Sequence, residues 1–269
     1  MRFSDVDLAR QLERTEASSS AAFVEGRARL FPASGAEWMT VAGAYALFDG
    51  PESPLTQTFG LGLFDEVTAA ELDRIEAFFT ERQAPVLHEV SPLAQPALLP
   101  LLTARGYQPI EYTSVLYQEL APGPAAEAPS SLTTRIIGPE EAESWAQTSA
   151  AGWSTESPEF VGFLLDFGKV NANSSGMLCF VAELEGQPIG TAGLCLHEGV
   201  ALLAGASTVP AGRRQGAQAA LLAARLNHAA AQGCTLATMG ALPGSQSQRN
   251  AERHGFRIAY TRTKWQLSR

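Results

Sequence analysis

The stretch Val209 to Leu226, VPAGRRQGAQAALLAARL, carries the residues of this 269-residue chain whose types and spacing point most directly to chemistry. A proline, two arginines and a glycine precede an apolar helical pattern that contains no acidic residue. Helix starts leave backbone N–H groups unpaired and carry partial positive charge, so a strand, a glycine-bearing turn and a helix start together form a cradle for phosphate. Gly216 lets backbone approach an anion closely, and Arg213 and Arg214 add charge. The pattern is neither GxxxxGKS/T nor GxGxxG, so neither a nucleoside-triphosphate loop nor a dinucleotide fingerprint is supported. Some other phosphate is called for.

The charge along the chain agrees. Up to residue 122 there are 8 Arg against 17 Asp and Glu; residues 123–199 hold 2 basic residues against 10 carboxylates; from residue 200 onward 9 basic residues face a single acid, Glu252. A basic C-terminal part beside acidic surroundings suits an anionic ligand with a cationic one next to it. The net charge of -9 speaks against broad binding of a nucleic-acid backbone.

The elements that must position this turn follow from periodicity. Leu222, Leu226 and Ala229 recur at i, i+4 and i+7 and Gly233 closes the segment, predicting a helix of about four turns that starts near Gly216. Arg225, His228 and Gln232 fall on another face. Before the turn, CFVAELEGQPIGTAGLCLHEGVALLAGASTV reads as three antiparallel strands turned at Glu185-Gly186 and Glu198-Gly199. TRIIGP starts a strand, and PEEAESWAQTSAAGW a helix with Pro139 in its first turn. In the first half, EWMTVAGAYALFDG, PLTQTFGLGLFD and PVLHEV read as strands, and TAAELDRIEAFFTERQ as a helix with Thr68 and Glu71 as a capping box. LAPGPAAEAPSS reads as a linker, which places domains at 1–121 and 133–269 around a Pro/Ala-rich segment, 122–132. The two halves end alike: RGYQPIEYTSVLYQEL and HGFRIAYTRTKWQL are each a glycine stop and a strand with a Tyr-Thr pair, an internal repeat.

VPAGRRQGAQAALL resembles the acyl-CoA-binding motif of the GCN5-related N-acetyltransferases (GNAT), in which a strand end precedes Arg/Gln-x-x-Gly-x-Gly/Ala and a helix. Arg213 and Gly216 fall on that pattern; Gln218 departs from it, and its side chain is expected to point outward. PGSQSQRNAERHGFRIAYTRTKWQL is similar to the family's second helix, Gly-Phe stop and last strands, with Ser245 and Gln248 as a capping box. The resemblance covers most of 133–269. It implies an α/β (α+β) fold of two such units, each a mixed, mainly antiparallel central sheet flanked by helices. The first unit lacks an arginine-glycine turn and reads as a degenerate copy without a CoA site.

The resemblance further implies acetyl-CoA as co-substrate. Thr208 and Val209 would pair with the pantetheine arm, and Arg213, Arg214, Gln215, Gly216, Ala217 and Gln218 would grip the pyrophosphate. Ser247 and Asn250 would contact pantetheine. Acetyl transfer also needs a proton donor for the leaving thiolate and a route for the amine's proton. Many family members carry a tyrosine where this chain has Ala251, leaving Ser247, Tyr260 or water as the donor. ALLAGASTV offers no carboxylate, so Ser207 and Thr208 would order a water relay to a more distant group: Glu198, His197, Glu156, Glu159, His88 or Glu89. Trp153 and Phe160 offer apolar contact to an acceptor.

The reading is thus an acetyl-CoA-dependent N-acetyltransferase acting on a primary amine of a small, cationic acceptor. The alternative is a non-catalytic acyl-CoA-binding sensor or interaction protein. Cys179, Cys195 and Cys234 have no metal-ligand spacing and read as buried thiols, so no metal is expected. No stretch reaches the roughly 20 apolar residues of a membrane helix. The charged N-terminus reads as an ordinary helix, with the cytoplasm as the default address. Neither nucleic acid nor membrane is expected as a partner, and the oligomeric state, a homodimer included, is left open.

Overall fold

The computed structural model describes residues 3–121, 132–153 and 161–268. In chain order they form α1 (Val6–Leu30), β1 (Glu37–Val41), β2 (Ala44–Phe48), β3 (Gln57–Phe59), α2 (Ala69–Thr80), β4 (Leu87–Val90), α3 (Leu98–Ala104), β5 (Tyr107–Glu119), β6 (Leu132–Ile136), α4 (Ala142–Trp153), α5 (Val161–Ala172), β7 (Met177–Leu184), β8 (Gln187–His197), β9 (Val200–Thr208), α6 (Ala217–Ala231), β10 (Leu236–Ala241), α7 (Gln246–Arg253) and β11 (Arg257–Leu267). The fold is mixed α/β, with mainly antiparallel strands flanked by helices. The chain divides into two compact units, one of residues 1–118 and 238–269, the other of residues 119–237.

This division departs from the expected domains at 1–121 and 133–269, because residues 238–269 group with the first half. The reason is a strand insertion. β11 runs antiparallel between β4 and β5, with Lys264 opposite Glu89 on one side and Glu111 on the other. The chain's last strand is therefore hydrogen-bonded to strands of the first half, and the two sequence-repeated ends, β5 and β11, lie side by side. Of the expected linker, 122–132, only Leu132 is among the described residues, where it opens β6.

In the first unit, strand alternation sends apolar side chains to both faces. Leu47 and Phe59 pack with Ala17, Ala21 and Val24 of α1. Ala46 and Val90 meet Leu72, Ile75 and Phe79 of α2 and Leu98 and Leu102 of α3. α1 begins at Asp5, whose side chain accepts from the Leu8 N–H at 2.8 Å. At the start of α2, Glu71 accepts the Thr68 N–H at 3.1 Å. Of PLTQTFGLGLFD only Gln57–Phe59 forms a strand, since Gly60 and Gly62 turn with positive φ.

In the second unit β6, β7, β8 and β9 are successive antiparallel neighbours. Both expected hairpins form, with all four turn residues at positive φ, as two-residue turns require. Cys179 and Val181 of β7 pack on Trp145 of α4, while Phe180 between them meets the His228 ring of α6. α4 and α6 thus cover opposite faces of β7. All three cysteines are buried thiols, none in a disulfide.

Candidate functional site

The turn singled out in the sequence joins β9 to α6. Pro210–Gly212 forms a single 3-10 turn, Arg214 adopts φ 63° and Gly216 φ 88°. The left-handed conformation at Gly216 is one that a side chain resists, and it sets the first residues of α6 with their N–H groups outward. Helical bonding begins only with the Ala220 N–H to Gly216 O, at 3.0 Å. Among the described residues the N–H groups of 214–219 have no acceptor. Arg213, Arg214, Gln215 and Gly216 are exposed, so a row of donors and two guanidinium groups surround an open turn at a helix N-terminus. That arrangement binds phosphate by charge, dipole and direct donation.

The two arginines differ. Arg213 donates to Gly152 O in the last turn of α4, at 3.3 Å, while Arg214 has no ion pair among the described residues. Gln218 does not point outward as expected: its amide donates to Thr208 Oγ1 at 2.7 Å, folding the side chain back over the end of β9. Ala217 is buried and belongs to the packed face of α6.

Val209 is a correction to its expected role. Its N–H donates to Ile189 O at 2.9 Å and its carbonyl accepts from Gly212, so neither backbone group is left for a ligand. By strand alternation the Thr208 backbone points away from β8. Ser207 is buried, with its hydroxyl donating to Ser149 O at 3.2 Å and 3.0 Å from Thr191 Oγ1. It is a packing link between β9, β8 and α4.

Several other expected residues lie elsewhere. Glu198 and His197 occupy the β8–β9 hairpin at the opposite end of β9; eight residues of strand at about 3.3 Å each put them roughly 26 Å from Thr208. Glu198 is therefore not brought to the turn. Tyr260 belongs to the other unit, where it is buried and its hydroxyl donates to Glu13 Oε1 at 2.9 Å. Burial and the nearby carboxylate hold its pKa well above the ordinary phenol range, so it does not act as an open proton donor. Ser247 is exposed on α7, and Asn250 accepts there from Gln246 and Arg253. Ala251 faces inward, 2% exposed. Glu156, Glu159 and Phe160 lie outside the described residues, and Trp153 is partly exposed at the end of α4.

His88 and Glu89 point to opposite faces of β4. His88 is buried against Tyr107, and burial pushes its imidazole down to about 3. Glu89 joins Glu13 and Glu16 around Arg262, an enclosed ion network rather than an open site. Arg225 is a further correction: it is buried, donating to Leu221 O and Gly193 O at 3.1 Å, and without a carboxylate partner its pKa falls to about 10. Its long stem can pack while its donors reach backbone carbonyls, which periodicity does not reveal. His228 is half-buried. No group of three or more His, Cys, Asp or Glu that could hold a metal occurs among the described residues, nor any helix there long and apolar enough to cross a membrane.

Residues 140–256 match the family model of the acetyltransferase (GNAT) family. The chain also resembles solved structures. A GCN5-related N-acetyltransferase from Kribbella flavida is 20% identical with a TM-score of 0.65, the match covering 94% of this chain and 95% of that one. A GCN5-related N-acetyltransferase from Sphaerobacter thermophilus is 16% identical with a TM-score of 0.54, covering 79% and 72%. A tandem GNAT protein from the clavulanic acid biosynthesis pathway is 13% identical with a TM-score of 0.57, covering 83% and 74%. Among curated proteins no sequence matches the chain.

Proposed function

From the match of residues 140–256 to the model of the acetyltransferase (GNAT) family, we propose an enzyme that transfers the acetyl group of acetyl-CoA directly to a primary amine of a small, cationic molecule. The observation that carries this reading is the open turn after β9: the unpartnered N–H groups of 214–219, with Arg214 exposed beside them. Pyrophosphate is the part of acetyl-CoA such a turn fits, and the Thr208 edge of β9 then receives the pantetheine arm.

In the reaction the amine nitrogen attacks the thioester carbon, the C–N bond forms and the C–S bond breaks. The thiolate takes up one proton and the amine gives one up. With Ala251 buried and Tyr260 engaged by Glu13, water protonates the thiolate. The amine's proton leaves through water, since β9 carries no carboxylate. The first half reads as a degenerate copy of the same unit, without a CoA turn, and the acidic residues before position 200 favour a cationic acceptor through their summed field.

The same absence of a β9 carboxylate and of a donor at Ala251 favours a second reading, a non-catalytic acyl-CoA sensor. Mass spectrometry of primary amines incubated with acetyl-CoA and the protein decides between them. An acetylated amine supports the transferase; tight acetyl-CoA binding with no product from a broad panel supports the sensor.

A further inference from the structure

Three sulfur atoms come together in the second unit, apart from the anion-binding turn. In the β7–β8 ladder Met177 stands opposite Cys195, and Cys179 opposite Gly193. Opposed residues, and alternate residues along a strand, share one face, so Met177, Cys179 and Cys195 all belong to the face that α4 covers. The Cys195 thiol donates to Met177 Sδ at 3.8 Å. Gly193 has no side chain to contribute, and the thioether takes the space: a Cβ there would lie 2.8 Å from Met177 Sδ. Met177 thus touches Cys195 and lies over the position opposite Cys179. Burial, and after it the Cys195 thiol, push Cys179 up to about 12, so the two thiols are within electrostatic reach of each other. Both are buried, while Met177 at the start of β7 is half-buried.

A second observation comes from the other face. The buried Arg225 of α6 donates to the carbonyl of the same Gly193 at 3.1 Å, with no carboxylate partner among the described residues. Buried charges are paired or belong to metal centres as a rule, and this cation is applied to the strand residue behind the sulfurs. Two thiols and a thioether are soft donors, the kind that selects copper(I). Structural zinc asks for four Cys, His or carboxylate ligands, and no three of those side chains meet among the described residues. Three sulfurs around one trigonal ion, with metal–sulfur bonds of about 2.3 Å, stand about 4 Å apart. The Cys195–Met177 separation of 3.8 Å suits that arrangement.

We propose that Cys179, Cys195 and Met177 bind one copper(I) ion, with Arg225 balancing its charge across Gly193, an inference independent of the transferase reading above. On binding, the two S–H bonds break and the metal gains two thiolate bonds and one thioether bond. Both protons leave to solvent, and no electron moves. Two thiolates around one copper(I) leave a single negative charge, which the single positive charge of Arg225 offsets. Met177 and Cys179 lie on β7 and Cys195 on β8, so the ion clips the two strands together, and binding to the folded chain alone raises its stability.

The test titrates the full chain anaerobically with copper(I) held by the chromogenic chelator bathocuproine disulfonate. Wild type should draw one copper(I) per chain from the chelator, release two protons per ion in weakly buffered solution, and gain in Tm. Cys179→Ser and Cys195→Ser should each lower the affinity by about 100-fold or more, since a soft ligand is replaced by a hard one. Arg225→Met should lower it by about 10- to 100-fold, as loss of an outer partner does, and Arg225→Lys should restore most of the loss. Cys234→Ser, which changes the remaining thiol, should bind as wild type does. Circular dichroism of each metal-free variant separates a lost ligand from a lost fold, and the proton count on wild type needs no variant. No uptake by wild type, uptake without release of two protons, uptake lost in Cys234→Ser, or uptake unchanged in both Cys179→Ser and Cys195→Ser would each overturn the site.

Discussion

The Gln218 amide lies 2.7 Å from Thr208 Oγ1, so the residue that departs from the family's acyl-CoA motif is fastened to the end of the strand it follows. A ligand running along the Thr208 edge has to displace this amide. An exposed hydrogen bond of this kind is worth about 0.5–1.5 kcal/mol. Gln218→Ala should therefore bind acetyl-CoA about 3- to 10-fold more tightly, measured by calorimetry. Weaker binding would mean that the clasp shapes the turn for its ligand.

The two arginines of the turn predict unequal effects. Arg213 is tethered to Gly152 O, whereas Arg214 is exposed with no ion pair among the described residues. Arg214→Ala should weaken acetyl-CoA binding about 10-fold and reduce its salt dependence, as loss of one charge-assisted contact does. Arg213→Ala should also lower Tm, since it unties the turn from α4. Equal affinity losses with unchanged Tm in both variants would contradict this division.

Stability should respond to pH through two buried groups of the first unit. Burial, against the pull of Arg262, pushes the Glu13 carboxyl from 4.5 up to about 7. The folded chain holds a proton there that the unfolded chain releases, so this contribution declines as pH rises from 4.5 to about 7. His88, driven from 6.5 down to about 3 by burial, works the other way: stability is lost as pH falls below 6.5. From pH 4.5 to 6.5 the two slopes offset. The stability of Glu13→Gln minus that of wild type should therefore rise by about 1.4 kcal/mol per pH unit across that window, read from urea midpoints. Parallel pH profiles would place an ionised Glu13 in the folded chain.

Much of this was legible in the sequence, for identifiable reasons. The β8–β9 hairpin, the Gly216 helix start and the Ser245 cap are local: positive-φ turn residues, a glycine at a helix entry and a side chain three residues from its N–H each specify themselves. The insertion of β11 between β4 and β5 was not legible, because strand partnering across 140 residues or more leaves no periodicity. Arg225 was set by its spacing on a face other than that of Leu222, Leu226 and Ala229, and is buried with backbone carbonyls as partners. Tyr260 showed a hydroxyl but not the Glu13 that engages it 247 residues away.

The most direct test of the central claim is a calorimetric titration of acetyl-CoA into the full chain and into its Gly216→Val variant. Valine at φ 88° costs about 1–2 kcal/mol or forces the turn to rearrange, which disturbs the row of N–H groups of 214–219. Wild type should bind stoichiometrically, and the variant should keep the wild-type circular dichroism spectrum while losing binding by 100-fold or more, on the order of 3 kcal/mol. Equal affinity in the two proteins, or no binding by wild type, would contradict the assignment of this turn to acetyl-CoA.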